Sequence, residues 1–402
     1  MSVAATRAAL VPRRCLLIAL AALPLRVALA LGTDLSPDEA YYLCAARARG
    51  AVPIVDHPPL LPWLLRLTDH AALGPVELRA RLFPLAFGVG TAIGSVALSR
   101  VLGADARGAE LVAWAMSFAL LPLAGGFLAT PDGPLVLGVV AAALVVAGGR
   151  PRSRRDGAAR ALLLAIALAA ASLAKVAALP IALAFAAASS GVWLRAGAIV
   201  GPLAALPWLV PSLRFQLAHA FVDRPGAWSL MGAVGAVAAA VGVQVLFWSP
   251  WVLRAGGARL RELDARARPL AAAVALMSGL VVASALARAT PPEPNWWAPG
   301  AVLAVAAAGA TATSNRARVA AIVWWLAPTA LAASHTLHAW LPLDRAHDPS
   351  ARLHGWFHPT SAPLDAPGVG PYGPAAEACV YGGDCDEISS KFNHMQANHQ
   401  MN

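Results

Sequence analysis

Charge is scarce in this chain: Asp, Glu, Lys and Arg make up 13% of its 402 residues, while 58% are apolar. A soluble domain of this size must face water with its exterior and has no use for so much apolar surface. Lysine is nearly absent, at Lys175 and Lys391 alone, so the formal net charge of +10 rests on arginine. Those arginines fall in short loops between apolar runs, which argues for membrane topology rather than a nucleic-acid surface. The four cysteines have no metal-finger spacing. Cys15 and Cys44 are isolated, and only Cys379 and Cys385 are close enough in sequence to pair in an oxidising compartment. No internal repeat of fixed period is present.

What is there in abundance is hydrocarbon. Apolar runs of about 17–22 residues recur from Cys15 to the mid-330s, each long enough to cross a core roughly 30 Å thick. They predict an all-α, polytopic transmembrane bundle of about eleven spans: 15–32, 79–100, 108–128, 133–149, 160–174, 177–193, 197–213, 228–250, 269–288, 297–313 and 319–335. The first is read as an uncleaved span, because its apolar run is long and no small-residue cleavage site precedes a soluble domain. The pair flanking Lys175 is split in two, which keeps the basic loops on one side. Loops 150–160 and 254–268 carry five arginines each. The positive-inside rule then makes that side, with the N-terminus, cytoplasmic in an inner (plasma) membrane. The opposite side collects the long first loop 33–78 and the region after 336. The organisation expected is a membrane domain over 1–336 and a Pro- and Gly-rich extracytoplasmic tail, 337–402, ordered only in part.

The chemistry-bearing residues gather on that opposite side. SPDEAYYLCAARARGAVPIVDHPPL (36–60) is a polar interruption just after the first span. Ser36-Pro37-Asp38-Glu39 reads as a helix start, with Ser36 capping, proline in the first turn and Glu39 closing a capping box. Asp38 leaves that helix about 100° away from Glu39 and is either a helix-dipole charge or a functional carboxylate. Two helix-like pieces, about 37–49 and 58–72, are expected to lie at the interface. Asp56-His57-Pro58-Pro59 fixes a carboxylate and an imidazole on a stiff turn, either a plain interfacial turn or a metal or phosphate ligand pair. Thr130-Pro131-Asp132-Gly133 resembles another capped helix start. Lys175 either snorkels or offers a point charge to a lipid-linked phosphate. His219 and Glu293 are loop residues that read as solvated or functional.

Taken together, these residues resemble the polytopic, GT-C type glycosyltransferases that use polyprenyl-phosphate sugars. That superfamily includes the protein O-mannosyltransferases and the transferases that add aminoarabinose or galacturonate to lipid A. The matching pieces, in order, are Asp38-Glu39 with Tyr41-Tyr42, DHPPL (56–60), Arg79 and Arg81, ATPDGPL (129–135), LAK ending at Lys175, SLRFQLAH (212–219), EPNWWAP (293–299) and DPSARLHGW (348–356). The resemblance implies Asp38 as catalytic base, with Glu39 beside it. It implies donor-phosphate contacts from His57, Arg79, Arg81 and Lys175. A substrate pocket would be lined by Tyr41, Tyr42, Asp132, Glu293 and Asn295. A divalent metal, the one cofactor in question, would use Asp56, His57 and His219. Relatives often carry Trp-Asn upstream of the SLRFQLAH stretch; this chain has Pro207-Trp208-Leu209-Val210 there.

The implied function is inverting transfer of a sugar from a polyprenyl-phosphate donor to a lipid, glycan or protein acceptor on the extracytoplasmic face, with no nucleic acid involved. A transporter would place its polar groups near mid-membrane on broken helices. A non-enzymatic envelope-assembly protein binding lipid-linked phosphates would keep the cations without a base.

Overall fold

A computed structural model describes residues 11–47, 57–149, 151–219, 228–262, 267–311, 314–344, 348, 350–354, 376, 380 and 381. Among these the regular structure is helical throughout. The first span is two abutting helices, α1 (Arg13–Ala21) and α2 (Leu23–Gly32), with Pro24 in the first turn of the second, where its missing N–H costs nothing. The first loop folds into α3 (Pro37–Arg47) and α4 (Leu60–His70), closely matching the two interfacial pieces expected there. The chain continues through α5 (Val76–Val101), α6 (Ala106–Phe118), the short α7 (Leu120–Gly125), α8 (Asp132–Ala147), α9 (Arg154–Ala174) and α10 (Ala178–Ala188). After these come α11 (Val192–His219), α12 (Leu230–Trp248), α13 (Pro250–Glu262), α14 (Arg268–Arg288), α15 (Ala298–Ala308) and α16 (Asn315–His338).

Seven of these segments are long and apolar enough to cross a membrane: Arg13–Gly32, Val76–Val101, Arg154–Ala174, Val192–Arg214, Leu230–Trp248, Arg268–Arg288 and Asn315–His338. The other four expected spans fall on shorter helices, α6 with α7, α8, α10 and α15. The chain breaks at Lys175, which is extended (φ −155°, ψ 139°) between α9 and α10. Helix starts follow local chemistry. Asp105, Ser153, Ser229 and Ser314 each accept a hydrogen bond from a backbone N–H three residues on, satisfying a donor the helix itself cannot. Large apolar side chains such as Leu162, Ile166, Leu183, Leu230 and Val323 point outward, as a lipid environment favours.

Inside the bundle, alanine and glycine replace bulk. Gly197 and Gly201, one turn apart on α11, face α9 so closely that an added β-carbon would lie 2.5 Å from the Ala161 carbonyl oxygen and 2.6 Å from that of Ala165. With no hydrophobic force acting between helices in lipid, such backbone-to-backbone contact carries the association. On the loop side, Leu35, Ala40, Leu43, Ala46, Leu61, Leu65, Ala80 and Ala129 form a separate small core. The tail also reaches this core. Ala376 and Val380 are buried in it, and the Tyr381 hydroxyl accepts from Leu35 N (2.9 Å) and donates to Glu77 Oε1 (3.0 Å). Cys379 and Cys385 lie outside the described residues, as do 355–375 and 382–402.

Gly201→Leu is expected to destabilise the protein by about 1–3 kcal/mol through overpacking of α9 against α11. Thermal unfolding of the detergent-solubilised variant would show it as a lowered Tm; an unchanged Tm would mean the two helices separate without cost.

Candidate active site

The site is organised by a carboxylate that never reaches it. Glu39 is fully buried, and each of its oxygens is used twice. Oε2 accepts from Ser36 N (2.9 Å) and Arg81 Nη2 (2.7 Å); Oε1 accepts from Arg81 Nε (2.9 Å) and Ala129 N (2.8 Å). Burial alone would push this carboxyl up, but the Arg81 guanidinium and the two backbone N–H groups hold it below its ordinary value. Arg81 spends its remaining donors on Ala30 O, Thr33 O, Thr33 Oγ1 and Asp34 O, all at 2.7–2.9 Å, and lies over the Phe127 ring. One ion pair thus joins the end of α2, the start of α3, the second turn of the first loop's exit helix α5 and the segment before α8. Both side chains are fully buried and none of their polar atoms is spare. Glu39 and Arg81, expected at the chemistry, are bonded to each other inside the fold, and neither lines the cavity described next.

Asp38 is the reverse. One residue earlier on the same helix, it is exposed and lines a cavity of about 400 Å³. The cavity is two-toned. Phe87, Met116, Leu121, Leu128, Val136, Phe247, Trp248 and Val302 give it an apolar interior, while Asp38, Thr130, Asp132, Glu293, Asn295 and Arg352 supply its polar groups. Asp132 opens α8 and holds two partners, Lys175 Nζ on Oδ1 (2.9 Å) and Asn295 Nδ2 on Oδ2 (2.8 Å). That arrangement ties three segments distant in sequence. Lys175 is thus joined to the cavity through Asp132 rather than lining it. The Glu293–Trp297 turn is held from outside by Gln244 Nε2 donating to Pro294 O (2.8 Å) and Trp297 Nε1 donating to Ser278 Oγ (2.9 Å).

Arg352 was not among the residues singled out, although it lies in the matched DPSARLHGW stretch. The segment carrying it folds back onto the bundle. Asp34 N donates to Leu353 O (2.9 Å), His335 Nε2 lies 3.2 Å from Asp348 Oδ1, and His354 Nε2 lies 2.6 Å from Thr336 O. This places a cation on the cavity wall, facing the same space as Asp38.

Other expected residues are placed elsewhere. Tyr42 is buried in the loop core, edge-on to Tyr41 (5.3 Å) and to His57 (5.8 Å); none of the three lines the cavity. Arg79 pairs with Asp69 (3.0 Å), which also accepts a two-pronged bond from Arg47 (2.8 and 3.0 Å). This clamp ties α3, α4 and α5 together. The Arg47 hydrogen bonds hold the Asp69 carboxyl below its ordinary value, aided by the charges of Arg47 and Arg79 and opposed by burial. Asp56 lies outside the described residues, and so does the His219 side chain. Among the described residues no three His, Cys, Asp or Glu side chains converge as a metal would require.

The structure is an all-helical bundle whose acidic first loop contributes Asp38 to an amphipathic cavity. Residues 48–221 match the family model described as dolichyl-phosphate-mannose-protein mannosyltransferase. The fold is similar to the crystal structure of ArnT from Cupriavidus metallidurans in the apo state, with a TM-score of 0.61 and 18% identity over 83% of this chain. The chain spans 66% of that protein's length. A comparison with curated proteins finds no match. Family region and fold together support the resemblance drawn from the sequence.

Breaking the buried pair from either side, by Glu39→Gln or Arg81→Met, is expected to cost about 3–5 kcal/mol, because each leaves an uncompensated partner. The double variant should lose clearly less than the sum, read as Tm in detergent; additive losses would show the two residues act separately. The Asp69 clamp has a defined pH sense. Its contribution is complete above the unfolded carboxylate value of about 4 and fades as pH falls through the lower folded value. Asp69→Asn should flatten the acid limb of a Tm-against-pH curve; an identical limb would exclude Asp69 as its source.

Proposed function

We propose that this protein is an integral-membrane inverting glycosyltransferase that moves a sugar from a polyprenyl-phosphate donor to an acceptor hydroxyl on the extracytoplasmic face. The observation that carries this reading is the exposed Asp38 sharing one two-toned cavity with the cation Arg352. A lipid-linked sugar has the same two-toned character, with hydrocarbon at one end and phosphate and sugar at the other. The apolar wall around Phe87, Met116, Leu121 and Phe247 suits the isoprenoid; the polar wall suits the head.

In the reaction, the acceptor oxygen attacks the anomeric carbon as the bond from that carbon to the phosphate oxygen breaks. The electron pair leaves with the polyprenyl phosphate, and the acceptor's proton passes to the Asp38 carboxylate. Single displacement inverts the anomeric centre. The departing phosphate needs charge stabilisation more than a proton, and Arg352 is placed to give it. Lys175 acts through Asp132, fixing that carboxylate and Asn295 where sugar hydroxyls would meet them.

Asp38→Asn is expected to lower transfer by about 10²–10⁴-fold while the protein still inserts and binds donor. The measurement is consumption of labelled polyprenyl-phosphate sugar by purified protein, beside equilibrium binding of the same lipid. A fully active variant would remove Asp38 from the role of base.

A further inference from the structure

The first span carries a charge that the reaction above does not use. Arg26, on α2 within Arg13–Gly32, is completely buried. One nitrogen, Nη2, donates to the carbonyls of Met116 (3.1 Å), Ser117 (3.4 Å) and Pro122 (3.4 Å), where α6 gives way to α7. Nε and Nη1 have no hydrogen-bond partner, and among the described residues no carboxylate lies within ion-pair distance. Arg81, equally buried, has every donor satisfied and a carboxylate in hand. A buried guanidinium at membrane depth without a counter-ion is costly and calls for a partner that arrives from elsewhere.

The two idle nitrogens face glycines. An added β-carbon at Gly88 would lie 2.8 Å from Nη1, and one at Gly126 would lie 2.6 Å from Nε. Gly88 is part of the cavity wall, as are Met116, Pro122 and Gly125. The guanidinium therefore packs directly behind the Gly88 backbone of the cavity wall, in the space a side chain there would need. In a low-dielectric surround its charge extends into the cavity.

We infer that Arg26 is an anion-positioning residue, whose charge is completed by the phosphate of a lipid-linked ligand lying along the Gly88 and Gly125 wall. The inference rests on the reading of the cavity as the donor site, and adds a second cation to Arg352. Arg352 faces the ligand from the solvent-side segment; Arg26 acts from within the bundle, through the glycine wall.

The test compares binding of polyprenyl phosphate, the uncharged polyprenol of equal length, and inorganic phosphate to purified protein. Wild type should prefer the phosphate lipid to the alcohol, and inorganic phosphate alone should not reproduce the effect. Arg26→Gln should weaken the phosphate lipid about 10–100-fold and leave the alcohol unchanged, with Arg26→Lys restoring part of the preference. Should Arg26→Gln fail to accumulate, Thr91→Glu supplies the missing carboxylate from the cavity wall one turn beyond Gly88. It should raise the Tm of the ligand-free protein relative to Thr91→Gln. Equal binding of lipid phosphate and alcohol by wild type would sink the donor-site reading itself. A wild-type preference kept in folded Arg26→Gln, or a Tm lowered in Thr91→Glu, would overturn the role of Arg26 alone. A full response to inorganic phosphate would overturn the lipid assignment.

Discussion

The buried ion pair between Glu39 and Arg81 is the constraint on which the rest of the site depends. It lies where three helices and one connecting segment meet, with both side chains fully buried. An isolated charge at that depth would be prohibitive, and even a pair is stable only when its other lone pairs and protons are used. Here they are, by Ser36 N, Ala129 N and four oxygens from Ala30, Thr33 and Asp34. With Glu39 locked inward, helix geometry leaves Asp38 facing the cavity. One residue of an acidic pair is anchored so that the other can be presented.

Around that anchor the protein assembles polar groups from remote parts of the chain at one end of an apolar bundle. Asp132, Lys175 and Asn295 come from three segments and meet through two hydrogen bonds. Arg352 comes from beyond the last long helix. Each tie is charge-assisted and partly buried, and so stronger than a surface salt bridge of the same length. The loop core beneath α3 and α4 adds apolar packing from as far away as Val380. Such contacts hold the segment that presents Asp38 to the cavity.

Much of this was legible in sequence. Apolar runs located the helices, the capping box placed the start of α3, and the split at Lys175 matches a real break, because these are local matters of periodicity and backbone hydrogen bonding. The acidic pair was legible as a pair. Which member faces a cavity followed only weakly, from the capping box. The fates of Arg81 and Arg79 could not be read at all, since an arginine that binds phosphate and one that binds a buried carboxylate are spelled alike. Tyr42 and His57 pack against each other away from the cavity for the same reason: nearness in sequence says little about which face of a helix the core claims. Arg26, inside the first apolar run, carries no local sign of what it meets.

Sequence alone determined that this chain is a helical membrane protein, roughly where its helices lie, and that its candidate functional residues fall mostly in or beside the connections between them. Those properties follow from transfer of side chains out of water and from the first turn of each helix. Only the tertiary structure decided which charges neutralise one another and which face a cavity. That choice depends on contacts between residues dozens or hundreds of positions apart, and on glycines such as Gly88 and Gly126 whose missing side chains let a buried cation lie against a cavity wall.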